Sequence, residues 1–192
     1  VCERKSVLKR PYAADHSMDN GKEQVMVANV DYVFIVSSLN DNYNFNRIAR
    51  YVSMTLQGNA IPVVILTKAD LCSNPGRYAS EIENLSEQVK VHSVSALYGI
   101  GMDELNKYLQ PGKTIAILGS SGVGKSTLVN ALVQEDVMKT SEIRESDSKG
   151  RHTTTHRQMI VLLNGARIID TPGMRELGMC DMDQGIDDTF SD

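Results

Sequence analysis

The stretch Gly119-Ser120-Ser121-Gly122-Val123-Gly124-Lys125-Ser126-Thr127 decides the fold of this 192-residue chain. It has the form G-x-x-x-x-G-K-S, follows the apolar run Thr114 to Leu118, and opens the apolar segment Leu128 to Val133. That strand–loop–helix context separates a phosphate loop from a chance match, and disfavours a glycine-rich turn that merely caps a helix. The glycines let successive backbone N–H groups converge on a β-phosphate, and the helix N-terminus adds a favourable dipole. Lys125 is expected on the β- and γ-phosphates, and the Ser126 hydroxyl on Mg²⁺.

The base is read from segments that lie before the loop. Thr67-Lys68-Ala69-Asp70 follows the apolar run Ile61 to Thr67. A carboxylate at Asp70 accepts from guanine N1–H and the 2-amino group, whereas adenine leaves it unpaired, a difference worth about 10⁴ or more in discrimination. Lys68 would lay its stem along the base plane. The tetrapeptide alone is a weak signal, since a turn and helix cap read the same way. It gains weight from Ser95-Ala96 after another apolar run, where a backbone N–H would meet guanine O6.

After the loop, Asp170-Thr171-Pro172-Gly173 has the form of a strand end entering a switch, with Asp170 expected on Mg²⁺ through water and the Gly173 N–H on the γ-phosphate. Met174 occupies the place where many GTPases carry a water-orienting Gln, and a thioether cannot orient water. The nearest substitute is His152 in Gly150-Arg151-His152-Thr153-Thr154-Thr155. Its alternative is an ordinary solvated loop histidine. One threonine of this run, preferably Thr154, is expected to ligate Mg²⁺ and contact the γ-phosphate.

Short apolar runs at Tyr32 to Ser37, Ile61 to Thr67, Val91 to Ser95 and Thr114 to Leu118 alternate with helical stripes. The stripes are Phe45, Ile48, Ala49, Val52 and Leu56; Tyr78, Ile82 and Leu85; and Met102, Leu105 and Leu109. The helix after the loop is apolar nearly all round and is expected to be buried. Met159 to Leu163 and Arg167 to Ile169 flank Asn164-Gly165, a hairpin signal. The fold class is α/β: a circularly permuted P-loop NTPase domain with a mostly parallel sheet and an antiparallel edge hairpin. Residues 1 to 29 are polar and turn-rich and could not bury a core alone, and 140 to 157 reads as a mobile loop.

Hydrophobic residues make up 41% of the chain and charged residues 23%, ordinary for a soluble domain. No apolar run approaches the roughly 18 residues that span a bilayer, and the N-terminus is too polar for a signal peptide, so a cytoplasmic protein with no membrane partner is expected. A net charge of −4 argues against a free-standing nucleic-acid binder. Three cysteines without C-x-x-C spacing give neither a disulfide framework nor a zinc site.

In order and content these motifs resemble the circularly permuted, ribosome small subunit-dependent GTPases known as RsgA or YjeQ. The resemblance spans roughly residues 24 to 180, with the G-x-H-T-T-T element its most specific part. It implies GTP and GDP as ligands with Mg²⁺, slow hydrolysis unless stimulated by the small (30S) subunit, a role in that subunit's late maturation, and His152 as a catalytic group.

It also implies a GTPase domain over residues 23–180, preceded at 1–22 by the remnant of an N-terminal OB-fold and linker, and followed at 181–192 by the start of a truncated zinc domain. Zinc is expected only in that missing domain, and rRNA contact mainly through missing parts; a monomer is expected. A second reading is a permuted GTPase acting on the large subunit; such relatives usually show N-K-x-D and an Asn in the phosphate loop, where this chain has Thr67 and Gly122, so it ranks below the first. Some members of the wider GTPase superfamily hold a potassium ion partly by that Asn, and with Gly122 in its place potassium dependence is left open. A GTP-gated binding module with incidental hydrolysis is the third reading.

Overall fold

Three apolar runs, Val33–Val36, Val63–Leu66 and Ile115–Leu118, are buried at every position, because helices cover both faces of the sheet they form. The computed structural model describes residues 3–11, 23–133 and 158–170. In chain order its elements are β1 (Val7–Pro11), β2 (Glu23–Ala28), β3 (Tyr32–Ser38), α1 (Phe45–Gln57), β4 (Ile61–Thr67), α2 (Pro75–Glu83), β5 (Lys90–Ser93), β6 (Thr114–Leu118), α3 (Lys125–Val133), β7 (Gln158–Val161) and β8 (Arg167–Asp170). Short 3-10 turns occupy Ala69–Leu71 and Met102–Lys107.

The main sheet has the order β5-β4-β3-β6-β8-β7. All its pairings are parallel except β7 with β8, which forms the expected antiparallel edge. β6, which leads into the glycine-rich loop, is central. β4 and β5 lie to one side and precede it in the chain; β7 and β8 lie to the other and follow it.

One face is covered by β1, β2, α1 and α2. Leu8, Met26, Ile48, Tyr51, Val52 and Ile82 pack there with Val33, Ile35, Val64, Leu66 and Leu118. Asn44 caps α1, its Oδ1 accepting from the Arg47 N–H at 2.8 Å, and each fully buried aliphatic of that helix contributes about 1.5–3 kcal/mol. The other face buries Leu128 and Val129 of α3, with Leu105, Tyr108 and Leu109, against Phe34, Val36, Ile65, Ile117 and Ile168. The connections after β3 and β6 therefore leave on opposite faces. A crevice opens between those two strands at their carboxyl ends, the place where ligands bind in open α/β sheets.

Opposite the crevice, Asp31 ties the strand starts together. It accepts from Lys113 Nζ at 2.9 Å and from the Thr114 N–H at 2.9 Å, while its own N–H donates to Thr114 O at 2.8 Å. Burial pushes its carboxyl up, but these donors outweigh that and hold it below its ordinary value.

Several sequence expectations are corrected. Met102 to Leu109 is a 3-10 turn over Met102–Lys107, held in place by burial of Leu105 and Leu109 and not by α-helical pairing. Only Leu128 and Val129 of α3 are buried; Ala131, Leu132 and Val133 are half-buried. The polar N-terminal segment, which could not bury a core alone, adds two strands to the core of the domain, with Leu8 fully buried and the Val7 N–H donating to Gly58 O at 2.9 Å. The hairpin loop runs over five residues, 162–166. The Gly165 N–H donates to Leu162 O, and Asn164 Oδ1 accepts from the Ala166 N–H.

Candidate guanine-nucleotide site

The phosphate loop leaves β6 at Gly119, with φ at +153°. A Cβ there would lie 2.4 Å from Val36 O of the neighbouring strand, so only glycine lets the loop turn this close to β3. Gly122 and Gly124 also have positive φ (77° and 90°), which turns successive N–H groups toward one concavity. The Lys125 ammonium folds back into it, donating to the carbonyls of Gly119, at 2.8 Å, and Ser120. Val123 is buried and anchors the loop on the β3–β6 face, while Ser121 and Thr127 are exposed and Ser120 and Ser126 half-buried.

The segment Thr67 to Asp70 is fastened directly to this loop. The Thr67 hydroxyl, at the buried end of β4, donates to Val123 O at 2.6 Å and lies 3.3 Å from Ser37 O. Lys68 adopts the left-handed conformation (φ 57°), uncommon for a side chain of its size. Its ammonium donates to Gly122 O at 3.2 Å, and its carbonyl accepts from the Leu71 N–H, so the surrounding bonds hold it there. Asp70 sits exposed in the next turn.

The Ala69 N–H donates to Val94 O at 3.1 Å, which sets the Asp70 turn beside the loop carrying Ser95 and Ala96. Ser95 and Ile100 exchange backbone hydrogen bonds at 2.9 and 3.0 Å, closing that loop on itself. The Ser95 hydroxyl is buried without a hydrogen-bond partner, alone in this among the described side chains. Such a group costs about 1–3 kcal/mol until a ligand or neighbour engages it.

Asp170 ends β8 and is paired in register with Ile117 of β6, two residues before Gly119, so a buried carboxylate flanks the phosphate loop on the side away from Thr67. Ser126 and Asp170 offer hard oxygen donors of the kind Mg²⁺ takes alongside substrate phosphates. Among the described residues no cluster of three or more His, Cys, Asp or Glu could hold a metal by itself. His152, Thr154, Gly173 and Met174 lie outside the described residues.

The ties made by Thr67 and Lys68 have no distinct sequence signal beyond their motif. Neither does the hydrogen-bond network around the buried His92, whose only trace is one histidine between the apolar residues Val91 and Val94, with Glu104 and Tyr108 four residues apart downstream.

A mostly parallel sheet with a phosphate loop at its switch point, and the Thr67–Asp70 and Ser95–Ala96 loops on strands that come earlier in the chain, defines a circularly permuted GTPase fold. The RsgA GTPase family model matches residues 1–180, and the chain belongs to that family. It is 45% identical over 192 residues to the small ribosomal subunit biogenesis GTPase RsgA of Methanosarcina acetivorans, covering 100% of this chain and 51% of the relative. It is 47% identical over 187 residues to RsgA 1 of Listeria innocua, covering 97% and 54%. The chain thus spans about half the length of the curated relatives it matches.

Among solved structures it resembles YjeQ from Thermotoga maritima, with a TM-score of 0.63, 28% identity, and coverage of 92% of this chain and 54% of that one. Its fold also resembles that of YloQ, a circularly permuted GTPase, with a TM-score of 0.54, 20% identity, and coverage of 86% and 57%.

Proposed function

We propose that this chain is the nucleotide-binding part of a cytoplasmic GTPase that binds and hydrolyses GTP during late maturation of the small ribosomal subunit. The observation that carries the reading is the pair of bonds from Thr67 and Lys68 to Val123 and Gly122. They join the base-reading segment to the phosphate loop as one site, in a chain whose relatives are named small-subunit biogenesis GTPases.

In this reading Asp70 and Ala96 select guanine, Lys68 packs its stem along the base, and the N–H groups of residues 119–127 with Lys125 hold the phosphates. Ser126, Asp170 and Thr154 hold magnesium, which when bound neutralises charge on the phosphates. Gly173 contacts the γ-phosphate, and His152 positions the attacking water. Residues 1–22 are the remnant of an N-terminal OB-fold and linker, its strand β1 pairing with β2 and burying Leu8 against α1, 23–180 form the GTPase domain, and 181–192 open a zinc domain. The protein acts as a monomer on the subunit and its rRNA. No helix among the described residues is long and apolar enough to cross a membrane.

Small GTPases acting alone turn over at roughly 10⁻⁴ to 10⁻² s⁻¹, and stimulation of about 10⁵ removes near 7 kcal/mol of barrier. One positioned histidine gives typically 10² to 10⁴, so the subunit supplies the remainder. The test is the GTPase rate of the full-length protein with purified small and large subunits. Stimulation by the small subunit, lost in His152→Ala with GTP affinity kept, is the expected result. Equal stimulation by the large subunit overturns the reading.

A further inference from the structure

His92 sits in β5, three residues before Ser95, and is 7% exposed. Both ring nitrogens are engaged from the far side of the Ser95–Ala96 loop: Nδ1 lies 2.8 Å from Glu104 Oε2, and Nε2 lies 2.9 Å from the Tyr108 hydroxyl. One neutral tautomer satisfies all three groups, with Nδ1–H donating to the carboxylate and Nε2 accepting from the Tyr108 O–H. Tyr108 is itself fixed, its ring edge-on to Tyr32 and Phe34 at centroid distances of 5.1 and 5.7 Å. At the neck of the same loop, a Cβ on Gly101 (φ 71°) would lie 2.6 Å from Ser93 O, so the two sides of the neck are in direct backbone contact.

The residues between His92 and Glu104 include Ser95 and Ala96, and the tip beyond them carries Leu97, Tyr98 and Ile100 exposed to solvent. Burial of the tip therefore does not hold the loop; its base does. We propose that His92, Glu104 and Tyr108 are positioning residues for guanine recognition. They staple the two ends of the Ser95–Ala96 loop and hold the Ala96 N–H where guanine O6 arrives. The inference deepens the proposed function and rests on its assignment of Ala96 to O6.

The test measures binding of GDP, 6-thio-GDP and IDP to the full-length protein by displacement of a fluorescent GDP. The thio analogue weakens acceptance at position 6, and IDP lacks the 2-amino group assigned to Asp70. Glu104 is two-thirds exposed, so Glu104→Ala removes the staple with little risk to folding. It is expected to weaken GDP roughly three- to tenfold, about the net contribution of one hydrogen bond. The preference for GDP over 6-thio-GDP should shrink while the preference for GDP over IDP stays as in wild type. Tyr108→Phe should do the same, and Glu104→Gln, which keeps an acceptor, should restore wild-type binding.

An unchanged GDP to 6-thio-GDP ratio in both Glu104→Ala and Tyr108→Phe overturns the staple while leaving the base site intact. Loss of all three nucleotides in equal proportion also overturns it, as a purely structural role. A wild-type protein that prefers GDP to neither analogue overturns the assignment of the base site itself, and the staple with it.

Discussion

Replacing Thr67 by valine keeps the volume and branching of a buried side chain and deletes one hydroxyl. That hydroxyl donates to Val123 O at 2.6 Å inside a region where Val123 is 1% exposed and Thr67 4%, so no water replaces it. A buried carbonyl left without its donor costs about 1–3 kcal/mol; with about 2 kcal/mol as the central value, a domain of this size loses roughly 4–8 °C of melting temperature. Because the bond ties β4 to the phosphate loop, nucleotide affinity should fall with it. A tenfold loss of GDP affinity removes a further 1.4 kcal/mol or so of ligand-induced stabilisation at fixed, saturating nucleotide. Thermal melts with and without GDP separate the two effects, and Thr67→Ser, which keeps the hydroxyl, should recover most of both. If Thr67→Val lowers the melting temperature equally in both conditions, the bond is structural only and the coupling between base and phosphate segments is refuted. An unchanged melting temperature refutes the bond itself.

Gly119→Ala puts a Cβ 2.4 Å from Val36 O, and overpacking of this kind costs typically 1–3 kcal/mol while displacing the loop. Urea denaturation should show the loss of stability, and binding of fluorescent GDP should be abolished; wild-type binding would contradict the close approach of β6 to β3. For Asp31 the folded carboxyl lies below its ordinary value of 3.8. Its contribution to stability is therefore fully present above the unfolded pKa and is lost as pH falls through about 4 toward the folded value. Asp31→Asn should lower stability at pH 7 and flatten the acid limb of a stability-versus-pH curve; an acid limb as steep as wild type would show that Asp31 contributes nothing to it.

The main sheet was readable in the chain because its inner strands are continuous apolar runs, as strands buried on both faces must be, and the order of the motifs disclosed the permutation. What escaped reading depends on partners distant in sequence. β1 has only Val7 and Leu8 as apolar residues before the basic pair Lys9-Arg10, and becomes a strand because β2 pairs with it and α1 covers Leu8. Met102 to Leu109 has helical spacing, but it forms a 3-10 turn that buries Leu105 and ends before the buried Leu109. Within the candidate site the glycines and Lys125 advertise a phosphate loop. The fastening of Thr67 to Val123, 56 residues away, has no local signature. The left-handed Lys68 is likewise invisible, because any lysine at that position reads the same.

The central claim is that Asp70, carried on a segment that precedes the phosphate loop, reads the base of the nucleotide the loop holds. A competition titration of GDP, ADP and XDP against the wild-type protein and Asp70→Asn tests it most directly. Wild type should prefer GDP over ADP by roughly 10⁴, and the variant should turn from GDP toward XDP, since the amide can donate to the xanthine 2-oxo group. A variant that keeps the wild-type preference for GDP removes Asp70 from the base pocket and contradicts the account.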